Sequence, residues 1–147
     1  MSLRDRLTSD MKEAMKAKDE LKLSTIRLLR SAVKNKEIDS KRELDDQGVV
    51  EVVASLVKQR RESIRMFGEA GRKDLVAKEE QELAVLQSFL PPQLSREELI
   101  ELVVQAIEEC GAQGAKDMGK VMKILSPMVA GRADGKAVSD LVREKLS

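Results

Sequence analysis

Basic side chains recur at helical spacing in one stretch, GAKDMGKVMKILSPMVAGRADGKAVSDLV, from Gly114 to Val142. Lys116, Lys120 and Lys123 stand at i, i+4 and i+7, which places them on one helix face. Met118, Val121, Met122, Leu125 and Val129 form a separate apolar face. Arg132 and Lys136 follow at the next turn and helix start, where unpaired N–H groups also attract anions. Ammonium and guanidinium groups arrayed in this way suit the binding of phosphate oxygens. Gly119 interrupts the same segment, at a cost of about 1 kcal/mol relative to alanine inside a helix. That cost points to close approach, either by another helix or by a ligand backbone. A merely solvated face is the other reading of the lysines, and the residues alone leave both open.

The stretch twice approaches a nucleotide-binding signature. Gly114 to Lys120 fits G-x-x-x-x-G-K, but Val121 follows where a Ser or Thr hydroxyl would hold Mg²⁺. A phosphate loop also needs a buried strand before it, and here an acidic amphipathic segment precedes. Gly131 to Ala137 is one residue short and again lacks the hydroxyl. Neither supports a nucleotide cofactor, and none is expected.

Other clusters carry less chemistry. Lys58, Arg60, Arg61 and Arg65 form a secondary basic group, and Arg27, Arg30 and Lys34 another, either of which could be a second footprint. Glu97, Glu98, Glu101, Glu108 and Glu109 could be read as metal ligands, but first-turn acids more often serve the helix dipole and the spacing repeats no ligand pattern, so no metal is expected. The chain has no histidine and one cysteine, Cys110, which reads as a small buried hydrophobe without a base to activate it. No residue is assignable as catalytic.

These residues must be positioned by helices. The 147 residues are 41% hydrophobic and 36% charged, with Phe67 and Phe89 as the aromatics. Leu, Val, Ala, Ile and Met without aromatic alternation pack as helix on helix, and no segment reads as a strand. Leu3, Leu7, Met11 and Met15, with Ala14, form the first stripe; Leu21, Thr25, Leu28, Leu29 and Ala32 the second. Asp39–Asp46 reads as a loop, a third helix runs to Gly68–Gly71, and a fourth spans Asp74 to Leu90. Pro91-Pro92 is the strongest break, and Ser95-Arg96-Glu97-Glu98 after it is a capping box. Three helices follow: Ser95–Glu109, Lys116–Val129 with Pro127 as a kink or early stop, and Asp134–Leu146. The expectation is an all-α protein: a helical domain of about four helices over 1–91, then a three-helix domain over 92–147.

The net charge of +1 is uneven, with +5 over residues 1–36, −3 over 37–46, −4 over 95–110 and +3 over 111–147. Local positive field of this kind steers polyanions. No apolar run is long enough to span a membrane, the N-terminus resembles neither a signal nor a transit peptide, and the lone cysteine fits a reducing compartment. A soluble cytosolic chain is expected, with no membrane partner.

The run FLPPQLSREELIELVVQAIEECGAQGAKDMGKVMKILSPMVAGRADGKAVSDLVREKL closely resembles the C-terminal domain of the YqeY-like proteins, and that half is similar to the tail domain of GatB, the B subunit of the tRNA-dependent amidotransferase. LRDRLTSDMKEAMKAKD, LSTIRLLRSAVKNKEID and LVKQRRESIRMFGEAGRKDLVAKEEQEL look like the YqeY N-terminal half. The resemblance implies two helical domains, the second a three-helix unit. It also implies association with tRNA, since the tail domain holds that substrate in the amidotransferase. The family is grouped with carbon–nitrogen ligases using glutamine as amido-N-donor, but the chain shows no Gly/Ser-rich amidase region and no room for an ATP-binding cradle. The expected function is therefore a non-catalytic accessory protein for tRNA or another structured RNA, with no DNA partner. An interaction module for an amidotransferase or another translation protein is the alternative, and ligase activity within a complex a further one.

Overall fold

The computed structural model describes residues 2–147 and is all-α, with no strand among them. Seven helices follow in order: α1 Leu3–Ala17, α2 Glu20–Ser40, α3 Asp46–Glu69, α4 Lys73–Gln87, α5 Arg96–Cys110, α6 Met118–Val129 and α7 Gly135–Leu146. A short 3-10 turn, Ala115–Asp117, precedes α6. The chain divides into two compact units, one ending at Leu90 and the other Pro91–Ser147. No helix is long and apolar enough to cross a membrane, and no group of three or more metal-ligating side chains occurs among the described residues.

In the first unit Leu7 of α1 meets Ile26, Leu29 and Val33 of α2, Val49, Val53 and Val57 of α3, and Leu86 of α4. Phe89 closes this core, 1% exposed, with the Arg6 guanidinium 4.8 Å above its ring. The same Arg6 donates to the Ser88 carbonyl at 2.5 Å. Met15 leaves the expected α1 stripe and is 50% exposed, while Ala14 is buried. Steps of four residues advance the face by about 40° each, so a stripe begun at Leu3 has turned away by Met15. Leu28 is likewise largely exposed, and the α2 face is completed by Ile26 and Val33 instead.

The Asp39–Asp46 loop is shorter than expected. α2 continues to Ser40 and ends at Lys41, whose left-handed backbone (φ 56°) lets its N–H bond the Glu37 and Ile38 carbonyls. A lysine in that conformation costs more than glycine would, and Lys18 closes α1 in the same way. Asp45 then caps α3 through the Gly48 N–H at 2.8 Å. Leu44 folds back over this turn, so a Cβ at Gly48 would meet the Leu44 side chain at 3.0 Å.

The second unit packs α5, α6 and α7 around Leu99, Val103, Ala106, Val121, Leu125, Val129, Val138, Leu141, Val142 and Leu146. Ser95 and Glu98 form the capping box, with reciprocal bonds of 3.1 and 3.2 Å. Leu94 packs on this core, and its N–H donates to the Arg132 carbonyl at 2.8 Å. FLPPQLS thus places Phe89 in one core and Leu94 against the other. Pro127 does not stop α6, which runs on to Val129. Its missing N–H leaves the Lys123 carbonyl without its helical donor, and the helix ends two residues later.

Between α3 and α4, Arg60 pairs with Glu79 (Nη1–Oε2 3.3 Å) and Glu82 (Nε–Oε2 3.2 Å), all three largely buried. Arg60→Ala strands two carboxylates in a low-dielectric site. A loss of about 3 kcal/mol, roughly 10 °C in melting temperature, is expected by thermal denaturation. A change within about 2 °C would show that the pairs contribute nothing net.

Candidate functional site

α6 is oriented by its apolar stripe. Val121 and Leu125 are fully buried and Val129 nearly so, each burial contributing roughly 1.5–3 kcal/mol. At 100° per residue, Lys120, Lys123 and Gly119 fall on the side away from that stripe, and all three are exposed. Lys116 lies in the 3-10 turn just before, also exposed.

An acid sits inside the basic stripe. Asp117 accepts the Gln113 N–H at 3.0 Å and stands 3.7 Å from the Lys120 ammonium. The Gln113 hydrogen bond, with the charges of Lys120 and Lys116, holds this carboxyl below the usual aspartate range. Asp117 therefore fixes the loop entering α6 while offsetting part of the local positive charge.

Arg132 and Lys136 lie beyond the other end of α6, whose twelve residues rise about 18 Å. The basic residues thus form two subgroups, Lys116–Lys120–Lys123 and Arg132–Lys136, rather than one cluster. The turn carrying Arg132 is tied down through its backbone: its carbonyl accepts from Leu94, and the Gln93 side-chain amide donates to the Gly131 carbonyl at 2.7 Å. Glu98 is held below the ordinary glutamate range, chiefly by the Ser95 N–H, with the charge of Arg132 adding to it. The start of α7, expected to attract anions, already has a carboxylate: Asp134 Oδ2 accepts the Ala137 N–H at 3.3 Å.

Gly119 differs from its expectation. It is the second residue of α6, in the first turn rather than the interior, and a Cβ there would meet nothing within 4 Å. No other helix of its own unit comes within 4 Å of that position. The apparent cost came from treating Lys116–Val129 as one helix, whereas the α-helix begins only at Met118.

The secondary basic group does not form a single patch. Arg60 turns inward to Glu79 and Glu82, and Arg65 pairs with Glu62 and, at 2.8 Å, with Glu69 on its own helix. Lys58 and Arg61 remain exposed on α3. The acids that neutralise Arg60 belong to α4, about twenty residues away, so local spacing gave no sign of them. Cys110 is partly buried against the second core, its thiol near the Ile107 carbonyl at 3.8 Å.

Comparison with known proteins places this geometry in a family. Residues 4–146 match the family described as Yqey-like protein. Among curated relatives, "Altered inheritance of mitochondria protein 41, mitochondrial" of Eremothecium gossypii is 42% identical over 129 residues, covering 84% of this chain and 70% of that protein. Its counterpart in Pyrenophora tritici-repentis is 33% identical over 142 residues, covering 95% and 78%. The Kluyveromyces lactis protein of the same name is 44% identical over 106 residues, and the match spans 57% of its length. These names correct the cytosolic expectation, since the relatives are named as mitochondrial. A lone thiol and the lack of a membrane-spanning helix do not specify a compartment. With a match over nearly its whole length and an all-helical fold, the chain belongs to the YqeY-like family.

Proposed function

We propose that this chain is a non-catalytic accessory protein that associates with tRNA or similarly structured RNA, working beside an amidotransferase or another translation protein. The observation that supports this reading is the pair of cationic subgroups, Lys116–Lys120–Lys123 over the start and middle of α6 and Arg132–Lys136 beyond its end, with the lysines turned away from the core. A single phosphate cannot meet both, whereas an extended phosphate backbone can. Contacts of this kind position an RNA without reading its sequence. Phe89 is buried and Phe67 partly so, which leaves no exposed ring on which bases could stack, so selectivity would rest on RNA shape.

Five contacts, from Lys116, Lys120, Lys123, Arg132 and Lys136, predict that tRNA affinity falls with salt at a log–log slope of about −3.5 to −4.5. Charge reversal of Lys120 and Lys123 to Glu should reduce the slope by about two. Absence of tRNA binding at low salt would end this reading. Gly119→Ala should change stability by less than about 0.5 kcal/mol, because the glycine lies in the first turn, outside the helix interior, and the new methyl meets nothing in the fold. On a face laid against RNA it should also weaken tRNA binding several-fold. Unchanged tRNA affinity in this variant would instead remove Gly119 from the RNA contact.

A further inference from the structure

A second concentration of positive charge lies in the first unit, in a groove of about 600 Å³ between α1 and α2. Its floor is apolar and closed by the buried Leu7, Val33 and Val49. Arg27, Arg30 and Lys34 line one wall, spaced i, i+3 and i+7 along α2, and the Thr8 and Ser31 hydroxyls line it as well.

The charge of this wall is not balanced within the fold. Arg4 and Glu37 also border the groove, but they are paired with each other at 2.6 Å. Glu37 is further occupied by the Leu44 N–H at 2.7 Å. Arg27, Arg30 and Lys34 have no carboxylate partner among the described residues, unlike Arg4, Arg6, Arg60, Arg65 and Arg72 of the same unit. Arg30 instead rests its Nη1 2.9 Å from the Met11 sulfur, a weak acceptor that leaves its charge unneutralised. Like charges at i, i+3 and i+4 on a helix repel, and no carboxylate among the described residues lies within ion-pairing distance of these three to offset it. An anion seated in the groove would.

The groove also limits which anion fits. From residue 27 to residue 34 the helix rises about 10 Å, too far for one phosphate to reach all three cations but within reach of two or three linked phosphates. A concave site of this volume with an apolar floor is the form of a small-ligand site. It contrasts with the exposed lysine face of α6.

We propose that the α1–α2 groove binds a compact polyphosphate, with Arg27, Arg30 and Lys34 as its cationic wall and the Ser31 hydroxyl as a hydrogen-bond donor; the Thr8 hydroxyl already donates to the Arg4 carbonyl at 3.2 Å. The guanidiniums suit bidentate contact with phosphate oxygens. Val33 and Val49 would face any apolar part of an organic ester.

Isothermal titration of the full chain with inorganic pyrophosphate, tripolyphosphate and orthophosphate at low salt tests this. Saturable one-to-one binding of pyrophosphate or tripolyphosphate, with orthophosphate weaker, is expected. Arg30→Gln and Arg27→Ala should each weaken it by about tenfold or more. Both side chains are exposed, and an unchanged circular dichroism spectrum would establish that the variants fold. Should either variant fail to fold, Ser31→Glu, which places a carboxylate at the wall, supplies the same test. The Lys120→Glu/Lys123→Glu double variant should bind pyrophosphate as the unaltered chain does, which separates this site from the RNA reading. No binding of either polyphosphate would overturn the proposal. So would equal loss in the α6 double variant, which marks non-specific attraction, or loss of tRNA rather than pyrophosphate binding in Arg30→Gln, which assigns the groove to nucleic acid.

Discussion

Burial of Val121, Leu125 and Val129 against α5 and α7 is the interaction on which the basic face depends. Without aromatic side chains in this unit, the three-helix core is filled by branched aliphatics, and each helix can offer only one stripe to it. Once α6 has turned Val121 inward, the helix period leaves Lys120 and Lys123 no position except outward. The capping box at Ser95, the strap from Gln93 to Gly131 and the left-handed Gly131 (φ 72°) hold the ends of this arrangement. The exposure of the lysines is therefore a consequence of packing, which also fixes where along the helix they emerge.

Two fates of positive charge distinguish structural from available cations. Arg60 is turned between α3 and α4 and neutralised by Glu79 and Glu82, and Arg65 by acids on its own helix. Arg4 and Glu37 tie α1 to α2. These residues serve the fold. Lys116 and Lys123 on the α6 side, and Arg27, Arg30 and Lys34 on α2, have no carboxylate partner among the described residues. Sequence spacing alone made both classes look alike, because it reports which cations share a face but not which acids arrive from another helix.

The all-helical class and most helix boundaries were legible in the sequence because glycine, proline and capping signals are local. Gly111 and Gly131 close turns with positive φ, Ser95 caps α5, and Pro91-Pro92 separates Phe89 in one core from Leu94 against the other. The ends of α1 and α2 were less legible, because lysines at 18 and 41 take the left-handed conformation usually left to glycine. Gly119 misled for a related reason: the 3-10 turn at Ala115–Asp117 shifts the helix start, so an apparent interior glycine occupies the first turn. In the site, the lysine face was readable from periodicity. The embedded role of Asp117, the Asp134 cap and the inward turn of Arg60 depend on tertiary contacts that periodicity cannot carry.

Lysine-modification footprinting of the full chain, with and without saturating tRNA, tests the RNA-facing role of α6 most directly. Protection concentrated at Lys116, Lys120, Lys123 and Lys136, with Lys12, Lys58 and Lys78 modified as in the free chain, is the result predicted. Protection spread evenly over all lysines, or confined to those before Leu90, would contradict it.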